Sequence, residues 1–350
     1  MRIAVIRRDA NRVKHLSVEE VPEPIAAPGQ ITVRVSHVGV CGSDLHGFLD
    51  ASSTAREDGL AMGHEISGHV EALGEGVTGP TAGTLVTIDP QVVCGECVAC
   101  LKGWISICEH KRVLGSSLRG FEQGGFQQVI AVDAKLVHAV PAAVGPEDAA
   151  LVEPLSNAWH VIDRAKVSPE DLVVIIGAGP LGLCMIQCLR ARGVMRIVVA
   201  EPSATKRDIA TAMGASNVVD AYIPGELEAV VASLTDGVGA DVVIESVGVS
   251  ATYQQALELA RKRGKVMFFG AITSVVELPL LRILHRELEL IGCTGANDET
   301  GPAIRALADG TIDLSAMPRA TAGLANAEDA LGWLADPTSG IVKLFIQPSR

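Results

Sequence analysis

Aromatic side chains are scarce: three Trp, two Tyr and six Phe make up 3% of the chain. The cores must therefore be built from Val, Ile, Leu and Ala. No apolar run approaches the roughly 20 residues that a membrane span needs, so insertion into a bilayer is not expected. Basic clusters long enough to follow a phosphate backbone are also missing. With 29 Lys and Arg against 41 Asp and Glu, the formal net charge is −12, and nucleic acid is not an expected partner. The opening stretch MRIAVIRRDANR holds no apolar core of signal-peptide length. These absences lead to the expectation of a cytoplasmic protein. Internal repeats and low-complexity segments are absent as well.

What is present is enough for two domains: 350 residues, 48% hydrophobic and 20% charged. An opening strand at Ile3–Ile6 leads into a Pro-bearing loop. Up to about residue 140, short alternating segments stand between glycines and prolines: 31–35, 69–73, 85–88, 126–132 and 136–140. That pattern predicts a mostly antiparallel β domain. A helical segment begins at Pro146. Six apolar runs follow, at 172–176, 197–200, 217–219, 242–244, 265–269 and 288–292. Helical segments at 180–192, 205–213, 227–234 and 253–262 lie between them. Strands apolar on both faces, joined by helices, predict a parallel doubly wound α/β sheet. After about residue 295 the pattern is mixed, with a closing strand at 341–346.

The eight cysteines are not expected to pair in a reducing compartment. Four of them, Cys94, Cys97, Cys100 and Cys108, have the spacing of a closed tetrahedral zinc site. Such a site leaves no position open and staples a loop too small for a core of its own. An iron–sulfur cluster is the rival reading and free structural thiols the plain one. Cys184, Cys188 and Cys293 read as core residues.

The run Val173–Ile176 leads into Gly177-Ala-Gly179-Pro180-Leu181-Gly182 and then a helix. Glycines here let backbone N–H groups approach a pyrophosphate at a helix N-terminus. Glu201 ends the next strand, 19 residues beyond Gly182, where a carboxylate would accept the ribose hydroxyls and repel a 2′-phosphate. NAD is therefore expected over NADP, with Lys206 and Arg207 close enough to soften that preference. The bland alternative is a packing turn in some other α/β sheet.

Gly63-His64-Glu65 lies in the glycine-fenced run GHEISGHVEALGEGV. Cys41 and His64 are candidate ligands of a second, catalytic zinc. Glu153, in LVEPL, is the candidate third ligand, directly or through water. Glu65 is the alternative, beside the metal or as an exchangeable fourth ligand. Asp44 reads as a helix-start charge.

The order CGSDLH, GHExxGxxxxxG, four-cysteine lobe and GAGPLG resembles the zinc-dependent medium-chain dehydrogenases of the alcohol dehydrogenase superfamily, over nearly the whole chain. The resemblance implies a GroES-like catalytic domain over 1–150, a Rossmann domain over 151–294, and a return to the first domain over 295–350. It implies a cleft between them, two zinc ions per chain, and a homotetramer with a dimer as the alternative. Glu153 stands where the alcohol dehydrogenases proper carry a second cysteine; this resembles the polyol, butanediol and threonine dehydrogenase branch. The implied reaction passes hydride from a secondary alcohol to NAD, with Ser43 and His46 in the proton relay. Ser43 as a helix cap and His46 as a surface residue are the plain alternatives. Polyols come first among substrates, then butanediol or threonine. Sorbitol is in doubt, because residues 292–298, GCTGAND, lack the arginine that sorbitol dehydrogenases place there. A zinc-free reductase and a non-catalytic NAD-binding regulatory module are the readings from other classes.

Overall fold

The computed structural model describes residues 1–49, 56–272, 275–336 and 338–350. The chain forms two compact units. One comprises Met1–Ser156, Ala296–Asp309 and Pro318–Arg350; the other comprises Asn157–Gly295 and Gly310–Met317.

The first unit opens with β1 (Arg2–Arg8) and β2 (Lys14–Glu20), an antiparallel pair. The second strand of this pair corrects the expected loop. KHLSVEE carries only Leu16 and Val18 as apolar residues, and neither is fully buried, so its alternation is faint. The main strands are β3 (Gln30–Gly39), β4 (Glu65–Leu73) and β5 (Leu85–Ile88). The short β6 (Gln91–Val92) and β7 (Arg112–Val113) pair with each other, and β8 (Val129–Asp133) and β9 (Val137–Ala139) follow.

In the second unit, β10 (Leu172–Ile176), β11 (Arg196–Ala200), β12 (Asn217–Val219), β13 (Ala240–Glu245), β14 (Ala260–Phe268) and β15 (Glu289–Gly292) form one parallel sheet. Its order is β12-β11-β10-β13-β14-β15. That is the dinucleotide-binding order, reversing direction between β10 and β13. Every residue of β10 is buried, as a strand covered on both faces requires. Helices Pro180–Ala191, Ala204–Ala212, Glu226–Leu234 and Ser250–Leu259 are the crossovers. The last stops at Leu259, short of the expected 262, because Ala260 already pairs with Ala240 in the sheet.

The chain then returns to the first unit with β16 (Arg319–Gly323) and β17 (Lys343–Gln347). The first unit's sheet runs β16-β17-β3-β4-β5-β9, with β8 also on β3. Its pairings are antiparallel except β16–β17. Its core is aliphatic, with Ile6, Ile31, Val33, Ile66, Ile88 and Leu344 at or near zero exposure, as the shortage of aromatics requires. No described helix is long and apolar enough to cross a membrane.

Candidate active site

Three strands of the first unit meet at Cys41. It follows β3 and caps helix Gly42–Phe48. His64 immediately precedes β4, whose first residue is Glu65. Gly63 turns the chain into position: its φ is +89°, and a Cβ there would lie 2.5 Å from Val38 and 2.8 Å from the Phe126 ring. Ligand atoms of Cys41, His64 and Glu65 all lie within 4.8 Å of one another. A sulfur, an imidazole nitrogen and a carboxylate oxygen at that separation fit a zinc ion.

Asp44 does more than its place at a helix start suggests. It is fully buried, and its Oδ2 accepts from the Cys41 N–H at 3.2 Å and lies 3.5 Å from His64 Nδ1. Arg56, itself buried, reaches the other oxygen at 3.3 Å. A carboxylate on Nδ1 fixes the ring and leaves Nε2 to bind metal. Burial opposes a charged His64, but Asp44 and Cys41 outweigh burial and raise its pKa well above the ordinary value. The same surroundings favour a metal cation. The spacing of Asp44 three residues after Cys41 was the available sequence signal.

Lys343, a residue the sequence did not single out, is wholly buried and ion-paired with Glu65. Glu153 is half-buried in the first turn of helix Val152–Ala165 and acts electrostatically on Lys343 and Lys111. It is not a member of the set that gathers within 4.8 Å; that set's third member is Glu65. Ser43 and His46 are both half-buried on helix Gly42–Phe48, three residues apart and so on one face. The helix is capped by Cys41 and Asp44 rather than by Ser43.

Cys94, Cys97, Cys100 and Cys108 also converge. Their resolved sulfur–sulfur separations are 3.5 Å (Cys94–Cys108) and 3.9 Å (Cys94–Cys100 and Cys97–Cys108). Zinc–sulfur bonds of about 2.3 Å at tetrahedral angles require about 3.8 Å, whereas a disulfide requires about 2.05 Å. The N–H groups of Cys94, Cys97 and Cys100 point at sulfurs of the set at 3.4–3.5 Å. The Cys97 thiol is lowered to about 6, first by the Cys100 N–H and then by that of Glu109. In the same lobe burial and the neighbouring sulfurs push the Cys100 thiol up to about 12, so the backbone N–H groups favour a thiolate at Cys97 and the crowding of sulfurs opposes one at Cys100.

In the second unit, Gly177, Gly179, Pro180, Leu181 and Gly182 lie at the C-terminal end of β10, beside the direction reversal. Gly177 has φ +104°, and a Cβ on Gly182 would lie 2.1 Å from the Gly177 carbonyl. Gly179 faces open space, with the helix N-terminus beyond it. Glu201 is buried at the end of β11; its oxygens accept from Ala178 N–H at 2.9 Å and Ser203 N–H at 3.0 Å. Arg207 is turned toward the protein. It donates to the Glu201 and Pro202 carbonyls, both at 2.7 Å, and pairs with Asp220 at 3.2 Å. Glu245, not foreseen from sequence, ends β13 with no exposure; its Oε1 takes N–H bonds from Val247 and Gly248 and the Thr252 hydroxyl.

Comparison with known proteins agrees with this geometry. Residues 27–142 match the profile of the alcohol dehydrogenase GroES-like domain, and residues 180–309 that of the zinc-binding dehydrogenases. A sorbitol dehydrogenase of Halalkalibacterium halodurans is 32% identical over 79% of this chain and 80% of its own. A 2-dehydro-3-deoxy-L-galactonate 5-dehydrogenase of Pseudoalteromonas atlantica is 32% identical over 86% and 87%. A Sinorhizobium meliloti structure with NADP bound, carrying the description of a zinc-binding dehydrogenase, superposes with a TM-score of 0.87 at 29% identity, covering 99% of this chain and 100% of that one. The chain therefore belongs to the zinc-dependent medium-chain dehydrogenases of the alcohol dehydrogenase superfamily.

Proposed function

We propose that this enzyme removes hydride from a secondary alcohol in a polyol, diol or sugar-like substrate, passes it to NAD and leaves a ketone. The observation that carries this reading is the gathering of Cys41, His64 and Glu65 donors within 4.8 Å beside a buried orienting carboxylate. A zinc ion held by Cys41 and His64, with Glu65 or Glu153 as acidic third partner, would supply a Lewis acid that favours the deprotonated alcohol. Glu153, outside the close set, fits a role through water better than direct binding. Ser43 would take the hydroxyl proton, and His46, on the same helix face, would receive it by way of the cofactor ribose and release it to solvent. Glu201 accepts the ribose hydroxyls. Because Arg207 is committed to two carbonyls and Asp220, it has little to offer a 2′-phosphate, which supports NAD over NADP.

Both named relatives act on polyhydroxylated carbon chains, which supports a polyol substrate. Butanediol or threonine is the second choice. The test is a screen of polyols, diols, inositols, sugar acids and threonine with NAD and with NADP, read as reduced-cofactor absorbance. Turnover of a hydroxylated substrate with NAD is expected. No turnover with any of them would favour a non-catalytic nucleotide-binding module, and tighter NADP than NAD would remove the role given to Glu201.

A homotetramer, or a dimer, fits the open edge of β15 and the exposed Leu280, Leu281 and Leu284 on the adjoining helix, at 64%, 68% and 59% exposure. Sedimentation of a monomer at micromolar concentration would contradict it.

A further inference from the structure

We infer that Arg119 is a specificity residue for the proposed alcohol oxidation: its guanidinium favours a substrate that carries an anionic group, a carboxylate or a phosphate, on the same carbon chain as the hydroxyl to be oxidised. This deepens the polyol reading given above and rests on it.

Arg119 stands at the tip of a closed loop rooted beside the donor cluster. The Gly115 N–H donates to the Glu122 carbonyl at 2.9 Å and the Glu122 N–H to the Ser116 carbonyl at 3.1 Å, which closes the neck. The neck packs on Gly63, the residue before His64. A Cβ on Gly115 would lie 2.7 Å from the Gly63 nitrogen, and one on Gly124 would lie 2.3 Å from the Gly63 carbonyl oxygen. The Gly124 and Gly125 N–H groups donate to the Ala61 and Gly63 carbonyls, both at 2.8 Å. On the outward limb, the Ser117 hydroxyl accepts the Glu57 N–H at 3.1 Å. Both ends of the loop are thus fixed to the segment that presents His64. Four residues of chain span at most roughly 14 Å, so the Arg119 backbone stays within that reach of Gly115. At the tip, Leu118, Arg119, Gly120 and Phe121 are exposed.

The charges of this loop differ in what they meet. Arg112, at its base, pairs with Glu122. Arg119 has no hydrogen bond or ion pair among the described residues. A second cation lies near it. Lys111 is buried, with its ammonium bonded to the Ser106 carbonyl. Burial lowers the Lys111 pKa; among charges Arg119 acts on it most, and Asp89 and Glu153 oppose both. Glu153 acts in turn on Lys343, which also feels Cys41. Like charges at close range repel, and an anion beside them relieves the repulsion. The chain as a whole carries a net charge of −12, which repels an anionic substrate. An unpaired guanidinium beside another cation, on a loop anchored next to His64, is a local exception to that field. A planar guanidinium can bind two oxygens of a carboxylate or phosphate through parallel N–H bonds, a geometry a neutral polyol does not offer.

The test compares matched hexitols, hexonates and hexitol phosphates, each with NAD, on the zinc-loaded full chain, unaltered and as Arg119→Ala and Arg119→Lys. Arg119 is exposed, so its replacement is not expected to disturb folding. The readout is the ratio of kcat/KM for an anionic substrate to that for its neutral counterpart. In the unaltered chain the ratio is expected to favour the carboxylate, the phosphate or both, and to fall with added salt. Arg119→Ala is expected to lower the ratio about 10–100-fold and to flatten its salt dependence; Arg119→Lys should restore part of it. The anion whose ratio falls further in Arg119→Ala is the group that Arg119 selects. No preference for either anion in the unaltered chain, or an equal loss on neutral and anionic substrates in Arg119→Ala, would overturn this inference and leave the dehydrogenase reading in place. No turnover of any alcohol, neutral or anionic, would overturn that reading and this inference with it.

Discussion

Asp44 shows how much a single buried acid decides. With His64 Nδ1 on one side and Arg56 on the other, it sets the orientation of the imidazole. Asp44→Asn keeps the shape and removes the charge. Affinity for the catalytic zinc is expected to fall about 10–100-fold, read by competition with a chromogenic chelator, while the four-cysteine zinc stays bound. Ser43→Ala should lower kcat without loss of zinc; an unchanged rate across the pH range would remove Ser43 from the relay. Removing only the Lys343 ammonium leaves a buried carboxylate uncompensated, a change worth about 3–5 kcal/mol. Lys343→Met should therefore destabilise the protein far more than Lys343→Met combined with Glu65→Gln, as thermal unfolding would show.

Among the elements, the cysteine lobe and the glycine loop were the most legible, and for the same reason. Each is a short stretch whose chemistry is fixed by residues close in sequence. The 94–108 spacing alone predicts four sulfurs around one ion, and the sulfurs do converge. Cys100→Ser should cut zinc from two per chain to one by elemental analysis and leave the Cys41–His64 zinc in place. Gly182→Ala should raise the dissociation constant for NAD by about tenfold, because the added methyl meets the Gly177 carbonyl at 2.1 Å; unchanged NAD titration would contradict the loop's role. Other elements were obscure in sequence because tertiary contacts, rather than pattern, define them. β2 has too few apolar residues to alternate visibly, yet pairs with β1 along its whole length. Helices Thr300–Ala308 and Ala327–Ala335 fell in the stretch that read only as mixed. Lys343 had no signal of its own, since a lysine in a closing strand reads as solvent-facing until β17 is seen against β3.

For the whole molecule, the chain's order matters as much as its composition. The parallel sheet is inserted between two parts of the first unit, and the final segment comes back to complete that unit's sheet. Residues 318–350 thus bring β17 and the Glu65 partner to the clustered donors Cys41, His64 and Glu65, all of which lie before residue 66. Truncation before Lys343 is expected to uncover the Val38–Gly39 end of β3, next to Cys41, and abolish zinc binding at Cys41 and His64, with the loss visible in elemental analysis; a truncated chain with full zinc content would show that the return is dispensable. The central claim is that two separate centres in the first unit each hold a zinc, one closed by four sulfurs and one left open for an alcohol oxygen. The most direct measurement is an anomalous difference map at the zinc edge from crystals of the full chain loaded with zinc and NAD. The account predicts two peaks per chain, one among Cys94, Cys97, Cys100 and Cys108 and one bonded to Cys41 and His64 with a non-protein ligand completing its shell. A single peak at the four cysteines, with Cys41 and His64 bare, would contradict it.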